Sequence, residues 1–117
     1  FKPDSTELVD PQGANDILRP LAEYLKYNSQ QVLLAGCVAG DTNGPNEISL
    51  SEGRAEKIKA ILVSLGVDAS LIITRGTGIN NPFHIKGIGT QCAQAAENRK
   101  VVIVAASSQV AKDILNA

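Results

Sequence analysis

Apolar residues fall along the chain in two rhythms, one of helices and one of short strands. Ile17, Leu18, Leu21 and Leu25 recur at helical spacing. Ahead of them stand Asp10 and Pro11, an N-cap followed by a first-turn proline. Pro20 lies inside this stretch and predicts a kink or split near Arg19, because proline lacks the amide that a helix interior uses. Residues 31–37, QVLLAGC, are a short β-type run ended by glycine, and 40–47 read as a loop. Ser49 and Glu52 stand three apart, as a capping box requires. Ala55, Ile58, Ile61, Leu62 and Leu65 then mark the buried face of a helix over 49–65, with Gly66 as its stop. ASLIIT (69–74) reads as a strand and 75–91 as a long loop rich in Gly and Asn. A short helix over about 92–97 leads to a strand at 99–105. Residues 107–117 close the chain as a helix with Val110, Ile114 and Leu115 facing inward. At the other end, FKPDSTEL has the look of the tail of an edge strand, stopped by Pro3.

Strands alternating with helices predict an α/β layer in which helices cover one sheet face. The segments 31–37, 49–65 and 69–74 form a βαβ crossover, whose two strands should be parallel. The direction of the last strand stays open, since a long loop precedes it. A chain of 117 residues suits one domain with its own core. Residues 1–106 are expected to form that domain, and 107–117 a helical extension of it. Aromatic residues are 3%, so Leu, Ile, Val and Ala must build the core.

Charge narrows the function classes. The formal net charge is −1 and Lys and Arg form no run, which counts against a nucleic-acid binder. No apolar run approaches the roughly 20 residues of a membrane span, so no membrane contact by this segment is expected. The chain begins with Phe, and the reading is of a piece of a longer protein. Cys37 and Cys92 make no zinc-type spacing, and they are either two thiols or one disulfide. Gly76 and Gly78 begin a G-x-G, but Asn81 stands where a third glycine is needed, so no dinucleotide cofactor is expected. Cys37 with His84 is a weak nucleophile–base pair without an orienting partner. No paired carboxylates or metal set accompany them, and catalysis is not expected.

Arg54 is the most informative residue. On the pattern above it lies in the first turn of the 49–65 helix, where the backbone is already positive. Its guanidinium and the unpaired first-turn amides would together form a carboxylate site. Asp41 and Glu47 could hold an ammonium beside it, a pair of subsites that suits the zwitterionic end of an amino acid. Surface pairing of Arg54 with Glu52, Glu47 or Glu97 stays open alongside, at about 0–1 kcal/mol.

The runs LSEGRAEKIKAILVSLGV (50–67), TRGTGINNP (74–82) and NRKVVIV (98–104), in that order, resemble the OmpA-like C-terminal domain family. That family is shared by outer-membrane protein A, the peptidoglycan-associated lipoprotein Pal and the flagellar stator protein MotB, and the resemblance covers roughly 1–104. It implies an α+β sandwich with a βαβαβ-type core and a mixed four-stranded sheet, here with an extra C-terminal helix. It also implies non-catalytic binding of peptidoglycan outside the cytoplasm, through the diaminopimelate of the stem peptide. In the family an Asp at a strand end takes the ammonium and the motif Arg, here Arg54, takes the carboxylate.

Aligned without gaps, the family Asp falls on Ala39, its His on Cys37, its motif Asn on Glu47 and a further Arg on Ala95. A shift of two residues would make Asp41 the ammonium partner. The ligand-contacting set implied is therefore Ala39, Gly40, Asp41, Thr42, Glu47, Arg54 and Asn98. The family fold brings Cys37 and Cys92 near one another, which implies a disulfide. The leading expectation is a cell-wall anchor of a larger envelope protein. The alternatives are an interaction or spacer module that has lost the wall site, and a hydrolase or thiol enzyme using Cys37.

Overall fold

The computed structural model describes residues 5–8, 10–38, 45–78 and 100–116. Asp10 caps α1 (Pro11–Asn28), its carboxylate accepting the Gly13 amide at 3.0 Å. The helix runs unbroken through Pro20, which corrects the expected split. Pro20 lies on the exposed side, where solvent serves the carbonyl that proline cannot. The inward stripe centres on Leu18, Ala22 and Leu25, with Leu21 beside it. Ile17 lies outside that stripe at 76% exposure, a correction to the sequence reading.

β1 (Val32–Cys37) is the central strand, flanked by β2 (Ile72–Gly78) in parallel and β3 (Val101–Ala105) antiparallel. The parallel pair is the predicted crossover, made through α2 (Pro45–Ser64). Three strands stand among the described residues. Residues 5–8 form bend and irregular chain rather than strand, and the expected fourth strand at the very start lies outside the described residues. So does the short helix expected over 92–97.

All six residues of β1 are buried because both faces of the sheet are covered there. Val32 and Leu34 face a core made with α1 and α2, through Leu18, Leu25, Ala55, Ile58 and Leu62. Leu33 and Ala35 face the other way, onto Ala111 and Ile114 of α3 (Gln109–Leu115). The alternation of a strand thus divides one apolar run between two cores. The expectation of helices on one face alone is corrected by α3.

Two boundaries differ from the sequence reading. Residues 69–71 form a short 3-10 turn, and β2 runs on through Arg75-Gly76-Thr77-Gly78, which had been read as loop. α2 begins at Pro45, not at Ser49. Proline suits a first helical position and Glu47 supplies the acidic residue of the first turn. Its end is as expected. Gly66, at φ +102°, closes a Schellman motif in which the Val67 amide donates to the Leu62 carbonyl at 3.1 Å and the Gly66 amide to Val63 at 2.9 Å.

Candidate functional site

Where α2 crosses the sheet, two strands offer glycine. Gly36 of β1 is paired directly with Gly76 of β2, and both lie beneath the second turn of α2. A Cβ on Gly36 would stand 1.7 Å from the Ser51 carbonyl oxygen. One on Gly76 would stand 2.7 Å from the Ile48 carbonyl, the Glu52 amide and the Ser51 hydroxyl. The glycines thus let helix backbone rest on strand backbone. Ser51 is fully buried there; its hydroxyl donates to the Ile48 carbonyl at 2.8 Å and accepts the Gly78 amide at 3.0 Å.

Just past the glycine pair the register shifts, so that Cys37 pairs with Gly78 and Thr77 is bulged out. Thr77 turns its hydroxyl onto the Gly36 carbonyl at 2.7 Å. Glu52, expected in a capping box with Ser49, instead takes the Gly76 amide and the Thr74 hydroxyl. The helix has begun four residues earlier, so there is no cap at 49 for Glu52 to complete.

Arg54 lies one turn beyond Ser51 and is 1% exposed. Its Nε donates to the Ser5 carbonyl at 3.0 Å and one terminal nitrogen donates to the Cys37 carbonyl at 2.8 Å. The guanidinium therefore ties the N-terminal segment to the end of β1. This corrects the position inferred from sequence. Arg54 is nine residues past Pro45, about 13 Å along the axis at 1.5 Å per residue, and not in the first turn. The helix field fades within its first turn, so first-turn amides do not join Arg54 in holding an anion. What remains is the guanidinium itself, oriented by the Ser5 and Cys37 carbonyls. Glu47 lies in the first turn of α2 rather than in a loop.

Cys37 is a buried free thiol; the partner expected for it, Cys92, lies outside the described residues. The Cys37 sulfur donates weakly to the Ala35 carbonyl at 3.5 Å. The thiol is enclosed where helix and strands close on one another, beside the Ala35 carbonyl and Thr77. Burial pushes its pKa up, and Thr77, Lys100 and Arg54 offset this only in part. A raised thiol is the opposite of an activated nucleophile. The proton is held more tightly folded than unfolded. The resulting stabilisation is complete below the unfolded pKa of about 8.5 and is lost as pH climbs above it. Stability is expected to fall through the alkaline range, and Cys37→Ala to flatten that fall in urea melts between about pH 8 and 10. In a Cys92→Ser background, a thiol reagent should modify the native protein far more slowly than the denatured one. Equal rates would show that the sulfur is accessible.

The structure thus brings Arg54 to the carboxyl ends of β1 and β2, next to Cys37. Ala39, Gly40, Asp41, Thr42 and Asn98 lie outside the described residues. Ser51, Thr77 and Gly36 are not among the residues that the sequence marks, and Gly76 is marked there only as part of an incomplete G-x-G. The first stands in the quoted Leu-Ser-x-x-Arg-Ala block, and the glycines had been read as punctuation.

The sequence model of the OmpA family matches residues 1–99. Over 101 residues the chain is 31% identical to the probable lipoprotein YiaD of Escherichia coli K12, covering 85% of this chain and 44% of that protein. It is 34% identical over 95 residues to the sodium-type flagellar protein MotY of Vibrio parahaemolyticus, covering 80% and 31%. The chain therefore spans less than half the length of these relatives. The fold superposes on the peptidoglycan-associated lipoprotein of Burkholderia pseudomallei with a TM-score of 0.66 at 26% identity, over 89% of this chain and 85% of that one.

Proposed function

Since the chain belongs to the OmpA family, we propose that it is a non-catalytic peptidoglycan-binding domain, holding a larger envelope protein to the cell wall. Arg54 takes a carboxylate of the stem peptide, of diaminopimelate type. Asp41 takes the neighbouring ammonium, with Glu47 as the weaker candidate. The domain works outside the cytoplasm, in the cell envelope. Its similarity to a peptidoglycan-associated lipoprotein, a probable lipoprotein and a flagellar protein supports this setting.

The observation that carries the reading is the orientation of Arg54. A guanidinium has five donors in one plane. Bonds to the Ser5 and Cys37 carbonyls set that plane, and so set the direction from which a carboxylate meets the charge. The position is also apt, because ligands of α/β sheets collect beyond the carboxyl ends of parallel strands. The raised thiol at Cys37 supports binding over thiol catalysis.

A second reading rests on the same residue. An arginine 1% exposed and bonded to two main-chain carbonyls also serves as a structural tie, in a spacer or interaction module that no longer holds wall peptide. Co-sedimentation with purified diaminopimelate-type sacculi separates the two. The wild-type chain is expected in the pellet, and Asp41→Ala largely in the supernatant with an unchanged thermal midpoint. Wild-type protein left in the supernatant would remove the wall-binding reading and leave the spacer.

A further inference from the structure

We propose that Ser51 is a positioning residue for the ligand site, holding the end of β2 while Arg54, one turn along the same helix, holds the end of β1. This rests on the wall-binding reading above. The bonds close into a ring. The Ser51 hydroxyl accepts the Gly78 amide at 3.0 Å, and Gly78 is paired across the sheet with Cys37. The Cys37 carbonyl accepts from Arg54 at 2.8 Å, and α2 returns the path to Ser51. Thr77 adds a rung inside the ring through its 2.7 Å bond to the Gly36 carbonyl. A single helical turn therefore fixes the separation of the two strand ends and the place of the guanidinium at the end of β1.

Packing alone does not call for serine. Serine is a poorer helix former than alanine in a helix interior. The volume is already tuned by the glycines, since a Cβ on Gly76 would come within 2.7 Å of the Ser51 hydroxyl. What the hydroxyl adds is one acceptor for a buried amide at the irregular end of β2, where Gly78 has φ +57°. Without it the Gly78 amide loses a buried acceptor, and the strand end loses its tie to the turn that carries Arg54.

The test uses the full chain at a temperature where every variant is folded. The Arg54 Nε proton is followed by NMR hydrogen exchange without ligand. A diaminopimelate-containing disaccharide tripeptide is then titrated. In Ser51→Ala the Nε proton should exchange about tenfold faster and Kd should rise about tenfold, the scale of one lost hydrogen bond. The amides of Leu33 and Leu34 should stay as protected as in wild type. Ser64→Ala is the control: Ser64 makes the same kind of back-bond, to Ile61 at 2.6 Å, on an exposed part of the helix. It should leave both readouts unchanged. A purely structural Ser51 would lower the thermal midpoint and leave exchange and Kd at wild-type values, which would overturn the proposal. Ser51→Cys keeps the size with a weaker acceptor and gives the same readouts if the alanine variant does not fold. If wild-type protein binds no tripeptide, the functional reading falls, and unchanged Nε exchange would separately remove the clamp.

Discussion

Gly36→Ala is expected to abolish the stable fold. The added Cβ would lie 1.7 Å from the Ser51 carbonyl oxygen and 2.6 Å from its carbon. Both are backbone atoms in the middle of α2, so no rotamer change relieves the overlap. The helix would have to lift from the sheet. That breaks the Ser51–Gly78 bond and opens the packing of Ala55, Ile58 and Leu62 on Val32 and Leu34. Overpacking usually costs about 1–3 kcal/mol, and a clash against fixed backbone sits at or above the top of that range. A fall in thermal midpoint of more than about 10 °C is expected, or no cooperative melt at all. Gly53→Ala makes the contrast. Its Cβ meets the tip of the Thr6 side chain at 2.8 Å, which can turn away, and alanine is the better helix former. That variant should melt at or above the wild-type temperature. If Gly36→Ala melted within about 2 °C of wild type by circular dichroism, the close seating of α2 on the sheet would be wrong.

Arg54→Ala is expected to weaken both stability and binding, and Arg54→Lys to divide the two effects. Alanine leaves the Ser5 and Cys37 carbonyls without their charged donor and opens space at a residue only 1% exposed. Hydrogen bonds to charged groups contribute about 1.5–3 kcal/mol each, so a loss of about 3 kcal/mol in urea denaturation is expected. Lysine keeps the charge, but its ammonium cannot hold two carbonyls and a carboxylate in one plane. It should recover part of the stability while muropeptide affinity stays roughly 100-fold below wild type. Wild-type affinity in Arg54→Lys would mean that the planar fork does not meet the ligand. Destabilisation in both variants with sacculus binding intact would make Arg54 a structural tie alone.

Helix and strand identities were largely legible because local rules govern them. Asp10-Pro11 starts α1, Gly66 ends α2, and QVLLAGC and RKVVIVA supply β1 and β3. Sequence reasoning failed where a local signal had a distant cause. Pro20 reads as a breaker, yet α1 passes through it on the exposed side. Ser49 and Glu52 fit a capping box by spacing, yet Pro45 had already opened the helix and Glu52 was free to reach β2. For Arg54 the first-turn electrostatic argument fails, because α2 begins at Pro45. Two of the arginine's partners are carbonyls from 49 and 17 residues away in the chain, and no local pattern brings those together.

The glycines show the division most directly. RGTG has the composition of a loop, and composition alone predicts one. In the fold it is the end of a strand, because Gly76 must admit the backbone of α2, just as Gly36 does from the neighbouring strand. The amino-acid sequence by itself determined the elements, the parallel crossover and the family, since these rest on periodicity, caps and motif order within short windows. Only the tertiary structure decided that Ser51 and Arg54 meet two strand ends and that α3 closes the second face of the sheet. The same holds for the Cys37 thiol, buried beside the Ala35 carbonyl and Thr77. Each of these depends on which surfaces approach within hydrogen-bonding or van der Waals distance. That is set by the docking of one helix on two glycines far apart in the chain.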